Sequence, residues 1–115
     1  MAAMQATSST AVAERLRVLA QLYQQGEVSE LMDRTLDKLL AHEAHLSREQ
    51  LLGLERDLAV FEERYGLSSD EFYRRYQAGQ TDDRMDYVEW ASLVQMRAKL
   101  QERLHLLTGE AQSLS

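Results

Sequence analysis

The two histidines best suited to bind a metal, His42 and His45, lie in the segment His-Glu-Ala-His. Zinc proteases place two histidines four residues apart on one helix, with a glutamate beside the first. Here the spacing is three, and His105 is the only other histidine in the chain. The chain also has no cysteine, which removes thiolate ligands. We therefore expect no metal site and no cofactor, and interpret His42 and His45 as solvated helix residues.

A second candidate for cation binding is a run of acidic residues before the last predicted helix: Asp82, Asp83, Asp86 and Glu89. A calcium loop of the EF-hand type needs oxygen ligands at alternate positions and a glycine at the sixth. Counted from Asp82, the second ligand position holds Arg84 and the glycine position holds Tyr87. The pattern favours helix capping and helix-dipole charge instead.

Paired carboxylates that could hold magnesium on facing helices are also poorly placed. Glu62 and Glu63 are adjacent and point about 100° apart on a helix. Asp33 and Asp37 share a face, but basic residues follow each of them, which is typical of a solvated surface. No glycine-rich phosphate loop or Ser/His/Asp arrangement is present. We predict that the protein is not an enzyme, with a small metal-dependent hydrolase as the weakest alternative.

Composition narrows the class of protein further. The 115 residues are 44% hydrophobic and 28% charged, contain no proline, and carry a formal net charge of −6. An acidic surface repels phosphate, so we expect no nucleic-acid partner and no anionic membrane partner. No segment has the roughly 18 consecutive apolar residues of a membrane-spanning helix. Together with the excess of arginine over lysine, these features predict a soluble, cytoplasmic, bacterial protein.

Helical periodicity predicts an all-α fold: a compact antiparallel bundle of four to five helices with a long C-terminal helix. One helical domain is expected over 10–109, between disordered tails at 1–9 and 110–115. Four glycines stand where a left-handed residue would end a helix: Gly26, Gly66, Gly79 and Gly109. Gly53 instead lies inside a helical pattern, at a cost of about 1 kcal/mol relative to alanine.

The N-terminal part of the chain predicts two helices with apolar faces toward the core. The first begins with Thr10 as its N-cap and ends near Gln25. Its apolar stripe is Val12, Leu16, Leu19 and Tyr23. The second begins after Ser29 and ends around residues 42–45. Its apolar residues are Leu31, Met32, Leu36, Leu39 and Leu40.

Two serine capping boxes predict the next two helix starts, with each serine bonding forward and the residue three later bonding back. Ser47 pairs with Gln50 in the first box, and Ser68 pairs with Glu71 in the second. The helix that follows Ser47 is expected to end at Gly66, and its inward residues are Leu51, Leu54, Leu58, Phe61 and Tyr65. The short helix that follows Ser68 ends at Ala78.

The last predicted helix begins with Asp82 or Asp83 as its cap and runs to about Thr108. Its inward face is Trp90, Leu93, Met96, Leu100, Leu104 and Leu107. The short preceding helix carries Phe72 and Tyr76 and is joined to it by only a few residues. We therefore predict that Trp90, the only tryptophan, is largely buried against this aromatic pair.

Residues 68–93 combine a serine-capped start, Phe-Tyr, an arginine pair, an acidic loop and a helix carrying Tyr-x-Glu-Trp. This segment resembles small, acidic, helical prokaryotic proteins that are the antitoxin members of two-gene toxin–antitoxin pairs, with TumE-type toxins as partners. The similarity extends loosely over 47–108 and has no counterpart over 1–45. The resemblance implies a non-enzymatic module that binds and neutralises a protein toxin. No segment resembles the DNA-binding domain of many antitoxins.

The aromatic residues of 68–93 admit two readings. They could pack the corner between two helices, since aromatic side chains bury large areas. Alternatively, some of them and the arginine pair face outward as interface anchors, the residue types enriched at binding hot spots. The partner-binding candidates are Tyr73, Arg74, Arg75 and Tyr87. The alternative function is a structural or scaffold protein that self-associates as a homodimer through its long C-terminal helix.

Overall fold

The structure, a computed structural model, describes residues 2–109, with side chains described for 9–109. It contains four helices: α1 (Ala2–Gln24), α2 (Glu30–Tyr65), α3 (Ser69–Gln77) and α4 (Met85–Thr108). No strand occurs within 2–109, which confirms the all-α prediction. The C-terminal tail predicted at 110–115 lies outside the described residues. The chain divides into two units, Met1–Asp37 and Lys38–Ser115, and the boundary falls within α2.

The N-terminal unit contains α1, a tight turn and the start of α2; we call its residues 9–37 the N-terminal hairpin. Helix α1 begins at Ala2, so the prediction that Thr10 is its N-cap is wrong. The reason is that the residues before Thr10 include good helix formers and no glycine or proline. Gly26 has a φ of 75° and allows the Glu27 amide to donate to the Leu22 carbonyl. At the start of α2, Ser29 accepts a hydrogen bond from the Met32 amide, as predicted.

The apolar stripe of α1 does not reach a core. Val12 is 48% exposed and Leu16 is 52% exposed, and Leu19 and Tyr23 are half-buried. On the first turns of α2, Leu31 is 73% exposed. The prediction that these apolar faces turn toward a core is therefore wrong for most of their residues. The exposed members of the second predicted helix are Leu31, Leu39 and Leu40.

Helix α2 continues through the position where two separate helices were predicted. Ser47 is buried in its interior rather than at a helix start, so the first predicted capping box is wrong. The sequence from 39 to 52 contains neither glycine nor proline, so nothing interrupts the backbone hydrogen bonds. The small hydroxyl side chain instead lies in line with buried Ala44 and Leu54, at spacings of three and seven residues.

The C-terminal unit has one apolar core, formed by residues of α2, α3 and α4: Leu58, Phe61, Phe72, Trp90, Ala91 and Val94. Helices α2 and α4 run in opposite directions. Arg64 near the end of α2 pairs with Asp86 at the start of α4, at 2.9 Å. Glu43, earlier in α2, pairs with Arg103 near the end of α4, at 3.1 Å.

Helix α4 begins at Met85, after both of the acidic residues predicted to cap it. Its N-cap is Arg84, which makes no side-chain capping bond, so the assignment to Asp82 or Asp83 is wrong. Asp82 accepts the Arg84 amide at 3.1 Å and thereby closes the loop two residues ahead, a usual role of aspartate in turns. The predicted inward face is covered to different extents. Trp90 is buried, Met96 is 48% exposed, and the leucines are half-buried: Leu93, Leu100, Leu104 and Leu107.

Candidate protein-binding surface

Six aromatic residues of α2, α3 and α4 form what we call the aromatic corner: Phe61, Tyr65, Phe72, Tyr76, Tyr87 and Trp90. Trp90 is 0% exposed, and its ring stacks on Phe72 with centroids 3.9 Å apart and planes 1° apart. The ring centroids of Phe61 and Tyr65 lie 5.6 and 5.7 Å from that of Trp90. The predicted burial of Trp90 against Phe72 is confirmed. The ring of Tyr76, the other residue of the predicted pair, lies against Phe72, with centroids 5.7 Å apart.

Polar side chains hold the start of α3 against this core. The Trp90 indole N–H donates to the Ser69 hydroxyl oxygen at 2.9 Å, so the buried donor is satisfied. The Ser69 amide in turn donates to the Glu62 carboxylate at 2.8 Å. Ser68 is the N-cap of α3 and accepts the Glu71 amide at 3.1 Å, which confirms the forward half of the second capping box. These bonds fix the position of α3 on α2 and α4.

Tyr87, one of the predicted partner-binding residues, is part of this packed corner. Its ring lies 5.2 Å from that of Tyr65 and 5.4 Å from that of Phe72. The Arg84 guanidinium lies over the same ring, 4.6 Å from its centroid. Tyr87 is half-buried, so most of its contact area already belongs to the protein's own core.

A hydrogen-bonded cluster closes the outer side of the corner. The Tyr65 hydroxyl donates to Asp86 at 2.5 Å, and Arg64 donates to the same carboxylate oxygen at 2.9 Å. These two donors lower the pKa of Asp86. The same hydrogen bond, together with burial, raises the pKa of the Tyr65 hydroxyl. Asp86 was predicted only as a negative charge at the start of α4. In the structure it also links the start of α4 to the end of α2.

The arginine pair lies on the outer surface of α3 and shares one carboxylate. Arg74 contacts Glu71 through two hydrogen bonds of 2.6 and 3.0 Å, and Arg75 contacts it at 3.1 Å. These bonds lower the pKa of Glu71 to about 2. Glu71 therefore holds both guanidinium groups instead of bonding back to Ser68. Both arginine side chains stay exposed, 61% for Arg74 and 46% for Arg75.

Tyr73 lies beside the arginine pair at the edge between α3 and α4. Its ring stacks on Tyr76 at 6.3 Å, and its hydroxyl oxygen accepts a hydrogen bond from Gln95 at 3.1 Å. Next to it is a shallow groove lined on the α3 side by Asp70 and Tyr73, and along α4 by Val94, Gln95, Arg97, Ala98, Lys99 and Gln101. Tyr73, Arg74 and Arg75 thus follow one another around α3, with Tyr73 half-buried at the α4 edge and the two arginines exposed. Tyr87 lies in a different set of contacts.

Two features near this surface were missed from the sequence. The side chain of Arg97 in α4 is only 15% exposed. It forms ion pairs with Asp70 of α3 at 2.7 Å and with Glu55 of α2 at 3.8 Å, and so connects α4 to both helices. An apolar groove of about 490 Å³ lies between α2 and α4, lined by Gln50, Gly53, Leu54, Asp57, Met96, Lys99 and Leu100. Gly53 was the one residue in the sequence that could have indicated this groove, because a glycine inside a helix has no side chain to fill the space beside it.

The other chemical candidates form no site within the described residues. His42 and His45 are exposed on α2, and residues 9–109 contain no group of three or more histidine, aspartate or glutamate residues placed to hold a metal ion. None of the helices within 2–109 is long and apolar enough to cross a membrane.

The fold and the surface define an all-helical protein whose exposed α3 is fixed to a packed aromatic corner. Comparisons with protein families, curated proteins and solved structures found no match to this chain. The all-helical class is therefore assigned from the protein's own residues and helices alone.

Proposed function

We propose that the protein is a non-enzymatic protein-binding module that acts as an antitoxin-like neutraliser of a partner toxin. The observation that carries this proposal is the placement of Tyr73, Arg74 and Arg75. They are consecutive in α3, so at 100° per residue they cover the outer sides of a helix whose inner side is Phe72. Tyrosine and arginine are enriched at binding hot spots, and here they stand on a rigid support.

The rigid support matters because ordering a side chain at an interface costs free energy. Arg74 and Arg75 are already held by Glu71, and Tyr73 is already held by Tyr76 and Gln95. A partner that binds them therefore pays less of the ordering cost that flexible side chains impose. Tyr87 contributes to the proposal by supporting the corner, and only its exposed part is available to a partner.

The net charge indicates the kind of partner. A formal charge of −6 attracts a basic protein and raises the rate of encounter with it, while it disfavours nucleic acid and anionic membranes. A cytoplasmic bacterial setting belongs to the same proposal. The partner is a toxin encoded by a neighbouring gene, as the resemblance of 68–93 implies.

The test is co-expression with the small reading frame next to this gene, followed by co-purification. We expect a stable complex, and expect Tyr73→Ala/Arg74→Ala to weaken it at least tenfold, the effect of about 1.4 kcal/mol. Arg48→Ala/Arg56→Ala is the matched control, because both residues are exposed on α2. Equal loss in both variants, or no complex with the neighbouring product, would contradict the proposal.

Self-association through α4 is the second proposal. Met96 and Leu106 on α4 are 48% and 67% exposed and supply apolar surface for it. Met96→Glu should then convert a dimer into a monomer without affecting a complex made through Tyr73. Sedimentation equilibrium of the purified chain distinguishes this proposal from toxin binding, because it requires no second protein.

A further inference from the structure

The N-terminal hairpin has the helices of a folded unit but no core of its own. No side chain within residues 9–37 is buried, whereas buried side chains occur repeatedly from Ala44 onward. In folded proteins most of a helix's stability comes from packing its amphipathic face against other elements rather than from helix propensity. The half-exposed Val12 and Leu16 lie on the same stripe as Leu19 and Tyr23, so an apolar face remains open to solvent.

The charges of the hairpin are divided unequally between its two helices. Residues 9–24 of α1 hold Arg15, Arg17 and one acid, Glu14. Residues 27–37 hold one base, Arg34, and four acids: Glu27, Glu30, Asp33 and Asp37. Neither Arg15 nor Arg17 forms an ion pair with any residue in the described part of the chain. One helix therefore presents unpaired positive charge and the other presents excess negative charge.

The acidic side of the hairpin also lacks positive compensation near the turn. The Tyr23 hydroxyl oxygen is buried beside Asp33 and makes no hydrogen bond of regular geometry within residues 9–109. Burial and the nearby carboxylates of Asp33 and Asp37 raise the pKa of this hydroxyl. Arg34, the one base of the segment, pairs with Glu30. Positive charge brought from outside would thus meet three acids without a described ion pair: Glu27, Asp33 and Asp37.

We propose that a second copy of this chain binds the N-terminal hairpin, with α1 of each copy packed against the first turns of α2 of the other. In a two-fold contact each surface meets its complement twice. Arg15 and Arg17 then face the acids of the partner's α2, and the stripe containing Val12 and Leu16 is covered. The result is a four-helix dimer interface, the arrangement in which two helical hairpins bury their apolar faces.

The hairpin itself supplies both halves of this complementarity, which is why the occupant is a second copy. A partner that covered only the apolar stripe would leave the opposite charges of α1 and α2 unused. The hairpin shares no residue with the set Tyr73, Arg74 and Arg75, so different substitutions test dimerisation and toxin binding.

The first test is sedimentation equilibrium of the full chain over micromolar to millimolar concentrations. We expect a reversible dimer, and expect Leu16→Glu to raise its dissociation constant about a hundredfold, because the charge would be buried in an apolar contact. Val18→Glu is the matched control on the same helix, off the stripe, and should change it less than about tenfold. Circular dichroism of each variant checks that the helices persist.

A charge-exchange pair tests the proposed orientation and does not depend on Leu16. Arg15→Glu/Arg17→Glu places acids opposite acids, and Glu27→Arg/Asp33→Arg places bases opposite bases, so each variant alone should be monomeric. Mixed together they should form a heterodimer, because both contacts then join opposite charges. This readout supports the proposal even if one variant is less stable alone.

Three results would overturn the proposal. The wild-type chain could be monomeric throughout the concentration range, or the dimer could tolerate Leu16→Glu and dissociate with Met96→Glu. The third is a charge-exchange mixture that contains no heterodimer. Weaker association in higher salt is expected in addition, since the arginine–acid contacts are solvent-accessible and screened.

Discussion

The aromatic corner and the N-terminal hairpin are both built from amphipathic helices, yet only the corner has a core. In the corner, three helices enclose Trp90 completely, and six buried residues form one cluster. In the hairpin, α1 and the start of α2 leave every side chain at least partly exposed. Two helices expose much of each apolar stripe, whereas a third helix closes the gap between them. An apolar stripe therefore predicts that a helix face is buried in a contact, but it does not identify the element that packs against that face.

The largest expected difference between the two regions is in the cost of truncating an apolar residue. Trp90→Ala removes a fully buried ring stacked on Phe72 and should lower the free energy of unfolding by about 3–5 kcal/mol. Val18→Ala, at a 57% exposed position of α1, should change it by less than about 0.5 kcal/mol. Urea unfolding measures both. Similar losses in the two variants would abolish the contrast between corner and hairpin.

The intrinsic fluorescence of Trp90 tests the same contrast without mutation. A fully buried indole should emit at short wavelength and be poorly quenched by acrylamide in the free protein. Water-like emission and easy quenching would contradict the burial and would make Trp90 an interface residue.

A smaller loss is expected from the polar support of the corner. Ser69→Ala removes the acceptor of the buried Trp90 indole N–H and should cost about 1–3 kcal/mol, the penalty for an unsatisfied buried donor. Ser92→Ala is the control, because Ser92 is an exposed serine of α4. Chemical denaturation of the two variants at equal protein concentration gives the comparison. If Ser69→Ala is as stable as Ser92→Ala, the hydrogen bond does not stabilise the corner.

Gly53 allows the opposite change, a gain in stability within the C-terminal unit. A Cβ added at this helical position meets nothing within 4 Å, so Gly53→Ala should raise the free energy of unfolding by about 0.5–1 kcal/mol. Gly66→Ala should instead lower it by about 1–2 kcal/mol, since its φ of 61° is left-handed. Thermal or urea unfolding measures the gain in stability at Gly53 and the loss at Gly66. A loss at Gly53 would show that the notch is already filled in the folded protein.

The smallest expected effect is the acid dependence of the α3 surface. Arginine contacts lower the pKa of Glu71 to about 2, below the value of about 4.3 usual for glutamate. The ionised form favours folding, so this contribution is present above the usual pKa and is lost as pH falls from about 5 to 2. Glu71→Gln should flatten the fall of stability in that range, while Glu49→Gln, at an exposed position of α2, should not. Unfolding curves recorded across the range decide this.

Much of the fold followed from local sequence. Ser68 and the four glycines that end helices were assigned correctly, because capping and left-handed backbone depend on one or two residues. The break expected at Ser47 was wrong because its capping-box pattern also fits a helix interior. A small polar residue can be buried there when helix-forming neighbours continue on both sides.

The contacts around the candidate site followed from the sequence only in part. The sequence singled out Tyr73, Arg74, Arg75 and Tyr87 by residue type, and the structure shows the first three as consecutive residues of α3. It could not separate Tyr87 from them, since that required knowing that Phe72 and Arg84 cover its ring. The roles of Arg97 and of the groove at Gly53 depend on which residues of α2 face α4. Contacts between residues far apart in sequence are not contained in the periodicity of either helix.

Within residues 2–109, the sequence by itself determined that the chain is helical, where α3 starts and which glycines follow the helix ends. These features depend on periodicity, caps and backbone propensity within a few residues. Only the tertiary structure decided which apolar faces are covered. Trp90 and Leu16 lie on similar stripes in their helices, and burial separates them because three helices meet at Trp90. Burial depends on the geometry of several helices at once, which no single stripe encodes.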